Sequence, residues 1–412
     1  MTSPSVSVIV VSRGRGDSLA LTLTGLSRLN YLTYEIVVVA DAEGQEAVRR
    51  LGLGDEVKTA AFANPNISEA RNRGIALASG EILAFIDDDA VPEPTWLTHL
   101  TAPFAEPEVA AVGGFVIGRN GISFQWKAQS VDHTGIATPL AVDETKPTIL
   151  TPPPGRAIKT EGTNMGFRRS VLAQHGGFDP AYRFYLDETD LNMRLARAGR
   201  ITAISPMAQV HHAFAPSARR TAARAPKDLF EIGASLAVYL RRHCPAEQHD
   251  AVIADMLEER DRSLIAHMIA GRLEPGDVRR LRRRLRDGIV AGQTRDLSEL
   301  TPLAAPTAMF KPFATRLTGK PEVVAGRSHN RRALRRNAAE KATTGASVSL
   351  FVFSPTTLFH RVRMTKAGVW EQQGGLWGKS DRSGPILQLT TFRSRLNREL
   401  RRISVPRGLP SP

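Results

Sequence analysis

Three consecutive carboxylates, Asp87, Asp88 and Asp89, are the side chains of this sequence best suited to binding a metal ion. They follow a short apolar run, residues 82–86, of the kind that forms a buried strand, and Pro92 keeps that strand from continuing. Adjacent carboxylates repel one another, whereas Mg²⁺ and Mn²⁺ bind carboxylate oxygens together with substrate phosphates. In an extended backbone Asp87 and Asp89 share one face, and Asp88 lies on the other. We therefore expect Asp87 and Asp89 to act together around a metal-bound diphosphate; the alternative is a solvated acidic turn.

A second acidic group opens a predicted helix that Gly199 ends, and it consists of Asp187, Glu188 and Asp190. Acidic residues at a helix N-terminus are stabilised by the helix dipole, so simple capping is one interpretation. Three acids in four positions slightly exceed what capping requires. Upstream, residues 161–167 hold small and amide side chains, which suit a backbone that contacts a polar substrate. Both stretches are therefore candidates for a functional site.

The elements that position these residues alternate between strands and helices in the first half of the sequence. Apolar, β-rich runs cover residues 6–11, 35–39, 57–62 and 82–86, and helical segments lie between them. This alternation predicts a parallel sheet with right-handed crossovers. In open α/β sheets of this kind, ligands bind beyond the carboxyl ends of the strands, which is where Asp41 and the triple Asp fall. The pattern predicts a nucleotide-binding crevice.

The composition indicates a globular chain whose charge is unevenly spread. Its 412 residues are enough for two or three domains with a full-sized core. The net charge is +14, but residues 216–412 contain 36 Lys and Arg against 18 Asp and Glu, whereas residues 1–215 contain 19 against 23. The single cysteine, Cys244, excludes an internal disulfide framework and a Cys-rich metal site. No apolar run approaches the ~18 residues of a membrane span and the N-terminus has no secretory pattern, so we expect a cytoplasmic protein.

Taken together, these features resemble the family 2 glycosyltransferases over residues 5–215. The shared features, in order, are a parallel sheet, an Asp-X-Asp strand end, a Gly-Thr-Asn loop at residues 162–164, an Asp-Glu-Thr-Asp helix start at residues 187–190 and a trailing histidine. The resemblance implies the GT-A fold, a Rossmann-like α/β fold of nucleotide-diphospho-sugar transferases with a mixed, mostly parallel sheet and flanking helices. It also implies inverting transfer of a sugar from a nucleotide-diphosphate sugar to an acceptor hydroxyl, in polysaccharide, glycolipid or cell-envelope glycan synthesis.

The same resemblance implies roles on the donor side for residues that match the motifs of the family. Asp41 would hydrogen-bond the nucleotide base, and Arg71 would also lie near the nucleotide. Asp87 and Asp89 would hold the ribose and the metal ion of the donor, with Asp88 in the same cofactor-binding group. The metal ion would be Mn²⁺ or Mg²⁺.

On the acceptor side, the resemblance implies a loop that borders the sugar and the acceptor, formed by Gly162, Thr163 and Asn164. Glu188 would be the catalytic base, with Asp187 beside it. His211 would be a further metal ligand, with His212 as the less favoured choice, although a histidine pair after a strand is more often structural when considered alone. The acceptor would be a glycan or a lipid-linked molecule.

Sugar transfer requires such groups independently of the family. A departing diphosphate gains negative charge, which a metal ion held by Asp87 or Asp89 can stabilise. The acceptor hydroxyl must lose a proton as it attacks, and a carboxylate such as Glu188 can accept it, a contribution of about 10²–10⁴-fold. The sequence reads Asp187-Glu188 where the family commonly has Glu-Asp, and Ala40 stands where the second strand often ends in a first acid. Which member of the acidic pair is the base therefore stays open.

The C-terminal half is predicted to follow the catalytic domain of residues 1–215 as a helical, basic extension over residues 216–300, and residues 301–412 receive no role. In the helix that begins near Gly276, apolar residues share one face and six arginines occupy the rest. A basic amphipathic helix favours an anionic membrane surface, so peripheral binding to the inner face of the cell membrane is a hypothesis. The alternative is a helix that packs its apolar face on the catalytic domain.

Other classes of protein explain parts of the sequence less well. A sugar-nucleotide nucleotidyltransferase would also use an α/β sheet and metal-binding carboxylates, but residues 14–16 are only a faint version of its Gly-rich phosphate loop. A catalytically inactive GT-A binding module is a further alternative, which the intact acids weaken. A nucleic-acid-binding protein would explain the basic half, but aromatic residues make up only 6% of the chain and no RNA-binding motif is present, so no nucleic-acid partner is expected.

Overall fold

The computed structural model describes residues 3–213, 219–221, 223–381 and 383–410. The strands in chain order are β1 (Val6–Ser12), β2 (Tyr34–Ala40), β3 (Lys58–Ala61), β4 (Ile82–Asp87), β5 (Ala90–Pro92), β6 (Val109–Ile117), β7 (Phe124–Trp126), β8 (Gln129–Asp132), β9 (Ala137–Pro139), β10 (Thr148–Leu150), β11 (Arg156–Lys159), β12 (Asn164–Arg168), β13 (Ile201–His212), β14 (Glu322–Arg327), β15 (Val348–Ser354), β16 (Arg361–Met364) and β17 (Trp370–Gly375). The α-helices are α1 (Gly16–Leu26), α2 (Ala42–Arg50), α3 (Ile67–Leu77), α4 (Trp96–Thr101), α5 (Arg169–Gln174), α6 (Asp187–Arg197), α7 (Phe230–His243), α8 (His249–Ile269), α9 (Pro275–Thr294), α10 (Arg331–Thr343) and α11 (Phe392–Arg407).

The main sheet has the order β10-β13-β6-β12-β4-β1-β2-β3, with β5 paired to β13 and β7 paired to β6. Strands β1 to β4 pair in parallel, and so do β6 and β13, whereas β12 runs antiparallel between β4 and β6. This mixed, mostly parallel sheet with flanking helices confirms the predicted fold class. A smaller, three-stranded sheet of order β11-β8-β9 is formed by strands that lie between β7 and β12 in the sequence.

The central strands are apolar on both faces because helices cover both sides of the sheet. Val8 and Val10 of β1 are buried in one core with Leu23 of α1, whereas Ile9 is buried in a second core with Ile75 of α3. Alternation along β1 therefore sends neighbouring side chains into two different cores. This arrangement holds the carboxyl ends of the strands at one fixed edge.

The strand pairing around β5 positions the triple Asp next to the histidine pair. After β4 ends at Asp87, the chain turns and β5 runs antiparallel to the end of β13. In this pairing Ala90 lies opposite His212 and Val91 opposite His211. The acidic turn and the end of β13 therefore meet at one point.

Helices α7, α8 and α9 form the part of the C-terminal half that follows the main sheet, in agreement with the predicted helical character. The apolar face of α9 is buried against α7 and α8 through Val278, Leu281, Leu285 and Ile289. A Cβ at Gly288 of α9 would lie 1.9 Å from a backbone oxygen of α7, so the two helices touch at a site that only glycine fits. The apolar face of α9 is thus used inside the protein, which favours the packing alternative over insertion of this helix into a membrane.

Residues 322–375 form a four-stranded sheet of order β14-β15-β17-β16, within the stretch to which the sequence analysis assigned no role. Strands β14, β15 and β17 are parallel and β16 is antiparallel, with α10 between β14 and β15. We call residues 322–410 the C-terminal module. The predicted boundary between residues 215 and 216 lies outside the described residues, and the division into three domains stays a prediction.

A segment of the C-terminal half, residues 307–316, returns to the first strands of the main sheet; we call it the strap. The backbone N–H of Phe313 donates to the carbonyl of Tyr34 at 2.8 Å, and that of Lys311 donates to the carboxylate of Glu35 at 2.7 Å. Phe313 is 3% exposed and belongs to the same core as β1 and α1. The strap therefore completes the core of the N-terminal half.

Among the described helices, none has the length and apolar character that a bilayer crossing requires.

Candidate active site

Asp87, Asp89 and His212 form a candidate metal site, whose ligand atoms all lie within 4.8 Å of one another. We refer to these three residues as the metal-binding group. The end of β4 supplies Asp87, the turn after it supplies Asp89, and the end of β13 supplies His212. The Nε2 atom of His212 lies 3.2 Å from a carboxylate oxygen of Asp89, and the hydroxyl of Thr163 donates to Asp87 at 2.5 Å. The ring of Trp126 stacks on His212. Two carboxylates and an imidazole are a donor set that fits Mn²⁺ or Mg²⁺, with Asp87, Asp89 and His212 as the residues that would hold the ion.

His211, the favoured ligand in the sequence analysis, lies on the other side of β13. Its Nε2 atom is 2.8 Å from the carboxylate of Glu93, which also accepts from Arg407 at 2.9 Å. The ring of Trp370 lies 4.5 Å from the His211 ring, centroid to centroid. Neighbouring residues of a strand point to opposite faces, so only one member of the pair can meet the acidic turn. The expectation for His211 is therefore corrected, and His212 takes its place.

Asp88 is buried beneath the metal-binding group and lines neither of the clefts described below. It accepts a hydrogen bond from Nε of Arg15 at 3.1 Å, and its backbone oxygen accepts from the Thr22 hydroxyl at 2.9 Å. Burial raises the pKa of Asp88 to about 7, and Arg15 opposes that rise. Arg15 also lies 3.2 Å from Asp89. Asp88 thus positions Arg15 beside the metal-binding group and is not itself presented to a ligand.

Two clefts meet at this group. The arginine-lined cleft has a volume of 590 Å³ and contains Asp87, Asp89 and His212. Its cationic wall is formed by Arg13, Arg15, Arg183, Arg219, Arg220 and Arg224. The acidic cleft has a volume of 570 Å³ and is lined by Asp87, Glu161, Asp187, Glu188, Asp255 and Glu259. Asp87, Thr163, Trp126, Phe184 and Arg260 line both clefts, so the metal-binding group stands at their junction.

Arg71 of α3 joins three of the predicted site residues. Its guanidinium forms a buried ion pair with Asp187, lies 3.8 Å from Asp87 and donates to the carbonyl of Gly162 at 3.4 Å. It lines the acidic cleft. Arg71 thus neutralises carboxylates at the junction, which is a different surrounding from the nucleotide contact expected from the resemblance.

Asp187 and Glu188 begin α6 after two residues with positive φ, Tyr185 at 72° and Leu186 at 66°. Two consecutive side-chain-bearing residues in this region store backbone strain, which clusters at functional sites. The carboxylate of Glu188 lies 3.5 Å from the ammonium of Lys159. The strained turn therefore delivers an adjacent pair of carboxyls into the acidic cleft.

The pKa values of the two carboxyls of this pair are shifted in opposite directions. Burial raises the pKa of Asp187 to about 7, although Arg71 opposes the rise. Burial would also raise the pKa of Glu188, but Lys159 and Arg71 outweigh it and hold this pKa below its usual value. Because neighbouring carboxyls titrate as a pair, the charge is expected on Glu188 first. At neutral pH Glu188 is therefore an ionised group that can accept a proton.

The loop expected to border the substrate divides between the cleft and the core. Gly162 and Thr163 line the acidic cleft. Asn164 is fully buried: its amide donates to the carbonyls of Phe115 and Ala208, and its oxygen accepts from the Trp96 indole at 2.8 Å. Its side chain is thus occupied in the core, so the expected substrate contact of Asn164 is corrected to a structural role.

Asp41 caps α2 and lies at the rim of the site. Its carboxylate accepts from the backbone N–H groups of Gly44 at 3.1 Å and Gly14 at 2.8 Å. It sits at the carboxyl end of β2, as expected, but it does not belong to the lining of either cleft. Its contact with a nucleotide base stays a prediction.

Sequence reasoning missed several residues that line the site. Lys159 and Glu161 form an ion pair of 2.7 Å at the acidic cleft. A basic and an acidic residue two positions apart, just before Gly162, could have indicated their place in the site. Helix α8 supplies Asp255, Glu259 and Arg260 to the walls, although it begins 37 residues after the end of β13. Nothing in the sequence pattern links α8 to the site, because only tertiary packing brings it there.

Residues 7–176 match the model of the family described as Glycosyl transferase family 2, which confirms the resemblance seen in the sequence. One relative is the Glucosyl-dolichyl phosphate glucuronosyltransferase of Haloferax volcanii, 29% identical over 42% of this chain and 55% of that protein. Another is the Pre-mycofactocin glycosyltransferase of Mycobacterium tuberculosis, 26% identical over 50% of this chain and 42% of that protein. The chain thus spans about half the length of these curated relatives.

Among solved structures, the chain is similar to the mannosyltransferase PcManGT from Pyrobaculum calidifontis in complex with GDP-Man and Mn²⁺. The identity is 18%, the match covers 71% of this chain and 88% of that one, and the TM-score is 0.40. This likeness is too low to support a statement about the site.

Proposed function

We propose that the protein transfers a sugar from a nucleotide-diphosphate sugar to an acceptor hydroxyl, with inversion, in a metal-dependent reaction. The observation that carries the proposal is the position of Asp87, Asp89 and His212 at the junction of an arginine-rich and a carboxylate-rich cleft. The family match of residues 7–176 supports the class of reaction.

The arginine-lined cleft suits the donor. A nucleotide diphosphate carries several negative charges, and guanidinium groups bind phosphate oxygens in a bidentate manner. Arg15, Arg219 and Arg220 line this cleft together with Asp89 and His212. A metal ion bound there would stabilise the negative charge of the departing diphosphate. The diphosphate would therefore lie between the arginines and the metal-binding group.

The acidic cleft suits the acceptor. Glu188 is the ionised member of the acidic pair and would accept the proton of the attacking hydroxyl. Trp126, Phe184 and Tyr185 add aromatic surface to the same cleft, on which the apolar face of a sugar ring can pack. Since the base lies in one cleft and the diphosphate site in the other, attack and departure would occur on opposite sides of the sugar, which gives inversion.

The identity of the acceptor is also a proposal. A glycan or a lipid-linked acceptor agrees with the name of the Haloferax volcanii relative, which refers to a glucosyl-dolichyl phosphate. We propose a role in polysaccharide, glycolipid or cell-envelope glycan synthesis on this ground.

Calorimetric binding of UDP, GDP and dTDP, with and without Mn²⁺, tests the donor site. We expect metal-dependent binding of one nucleotide to the native protein and a loss of that dependence in Asp89→Ala. Asp55→Ala, which removes an exposed carboxylate in the turn after α2, is the matched control and should bind like the native protein. Failure of well-folded native protein to bind any of the three nucleotides would reject the proposal.

A further inference from the structure

One end of the C-terminal module carries a group of exposed apolar side chains. They are between 54% and 81% exposed, and they are Leu358, Phe359, Ile386, Leu387 and Leu389. Large aliphatic and aromatic residues of this kind are rarely exposed in a group without a reason. We call this group the apolar tip.

The two loops that carry the apolar tip are joined by backbone hydrogen bonds. The N–H of Gly375 donates to the carbonyl of Leu358 at 2.8 Å, and the N–H of His360 donates to the carbonyl of Lys379 at 2.9 Å. The N–H of Gln388 donates to the carbonyl of Trp377 at 3.2 Å. Residues 356–360 and 384–391 therefore form one surface through residues 375–379, at the carboxyl ends of β15 and β17.

The surroundings of the apolar tip are strongly basic. Residues 354–402 contain ten Lys and Arg against three Asp and Glu. Two of these acids, Glu371 and Glu399, are each 1% exposed and paired with arginines, so Asp381 is the acid left at the surface of this stretch. The exposed cations Arg361, Arg393 and Arg401 leave a positive rim beside the apolar side chains.

Two arginines of α11 connect this helix to the apolar tip and to the residues before it. Arg402 donates to the carbonyl of Ser380 at 2.6 Å, and Arg398 donates to the side chain of Gln388. The inner face of α11 is buried in the module. Helix α11 and the apolar tip are therefore joined by side-chain hydrogen bonds.

We propose that the apolar tip binds the surface of an anionic lipid bilayer, with its aliphatic and aromatic side chains among the acyl chains and its arginines at the headgroups. This combination of apolar insertion and basic rim is what binding at a lipid interface requires. A second copy of the chain fits less well, because two identical tips would bring two positive rims together. The proposal differs from the α9 hypothesis of the sequence analysis, since the apolar face of α9 is buried. It does not depend on the proposed transfer reaction.

Co-sedimentation of the full chain with liposomes tests the proposal. The vesicles contain phosphatidylcholine alone or with 30% phosphatidylglycerol, at low salt. We expect the native protein to bind the anionic vesicles and not the neutral ones. The double variant Leu387→Ser, Leu389→Ser should reduce the partition coefficient at least tenfold, and Arg393→Gln, Arg401→Gln should reduce it by a similar factor.

Two matched controls distinguish binding through the apolar tip from nonspecific hydrophobic or electrostatic binding to the vesicles. Leu32→Ser replaces another exposed leucine, 90% exposed and remote in sequence, and should leave binding unchanged. Arg279→Gln, Arg283→Gln removes two exposed charges of α9 and should reduce binding less than twofold. Thermal unfolding of each variant establishes that it is folded.

Three results would overturn the proposal. The first is no binding of the native protein to anionic vesicles at low salt. The second is undiminished binding of folded tip variants, with loss of binding in the α9 variant. The third is a concentration-dependent dimer in sedimentation velocity that the tip substitutions abolish, because the surface would then be an interface between two copies. Nucleotide binding measured in parallel reports on the donor site separately.

Discussion

Asp187 and Glu188 are neighbours in the chain, but their charges are balanced by different partners. Asp187 forms a buried ion pair with Arg71, whereas Glu188 lies 3.5 Å from Lys159 and shares the cleft with Tyr185. With a pKa of about 7, Asp187 is partly protonated at neutral pH, whereas Glu188 is ionised there and can accept a proton. At the scale of single residues, this difference decides which of the two acids is the better candidate for the base.

Replacement of the two acids one at a time tests this assignment. We expect Glu188→Gln to lower turnover by about 10²–10⁴-fold, because the acceptor hydroxyl loses its proton acceptor, with nucleotide affinity nearly unchanged. Asp187→Asn should instead destabilise the fold by about 3–5 kcal/mol, because it removes the nearest charge partner of the buried Arg71 and leaves only the more distant Asp87. Steady-state rates, nucleotide calorimetry and urea unfolding distinguish these effects. Native turnover in Glu188→Gln would exclude this residue as the base.

The residue scale also marks the limit of sequence reasoning at the site. The run of carboxylates and the acidic helix start stand out from composition and spacing alone. The choice between His211 and His212 depends on which face of β13 meets the acidic turn, and that is determined by the register of β5. Asn164 has a polar side chain that suits a substrate, but three hydrogen bonds in the core occupy it. Tertiary contacts determine whether such side chains face the site or the core, and the sequence pattern alone does not show these contacts.

At the scale of elements, α11 is tied to β13 behind the metal-binding group. Glu93 is 1% exposed and lies between Arg407 of α11 and His211 of β13. Burial would raise the pKa of Glu93, but Arg407 and His211 outweigh burial and hold it at about 2. The link therefore depends on an ionised carboxylate in the interior.

This link predicts a pH-dependent contribution to stability. The pKa of Glu93 is lower in the folded chain than its ordinary value of 4.5, so its contribution is complete above pH 4.5 and is lost as the pH falls towards 2. The contribution is on the order of 3 kcal/mol. We expect the difference in free energy of unfolding between the native protein and Glu93→Gln to shrink between pH 6 and pH 3. Glu108→Gln, which changes an exposed acid, should give no such trend; a difference independent of pH would contradict the link.

Helices and strands were largely predictable where a local signal marks them, such as an apolar run for a strand or a capping residue for a helix. Strands β1, β2 and β4 are apolar runs, and Asn66 caps α3, with its side-chain oxygen accepting from the backbone N–H of Glu69. The sheet of the C-terminal module was harder to predict, because β16 and β17 are short and rich in polar residues. The contribution of α8 to both clefts arises from packing between distant elements and has no local signal.

At the scale of the whole molecule, the strap makes the two halves of the chain depend on each other. The Phe313 ring lies 5.5 Å from the Tyr34 ring in the core of the N-terminal half, and the hydroxyl of Ser79 donates to the carbonyl of Ala308. A substitution in the strap, which belongs to the C-terminal half of the chain, should therefore destabilise the main sheet of the N-terminal half.

Phe313→Ala measures this dependence. Removal of a buried aromatic ring from a packed core costs about 3–5 kcal/mol. Met309→Ala changes a side chain of the same strap that is 90% exposed, so it should alter stability by less than about 0.5 kcal/mol. Urea unfolding of the full chain provides both values. Equal midpoints for the two variants would mean that the strap does not complete the core.

The strap also sets the order of events during synthesis of the chain. Strands β1 and β2 leave the ribosome early, but the ring that covers their core is almost 280 residues further along. At about 5–20 residues per second, roughly 5–20 s pass between the appearance of residue 215 and that of residue 313. During that interval the nascent N-terminal half has an open apolar surface beside Tyr34, to which a chaperone that binds hydrophobic segments can attach. The N-terminal half is therefore expected to reach its native state only after residue 313 has been synthesised.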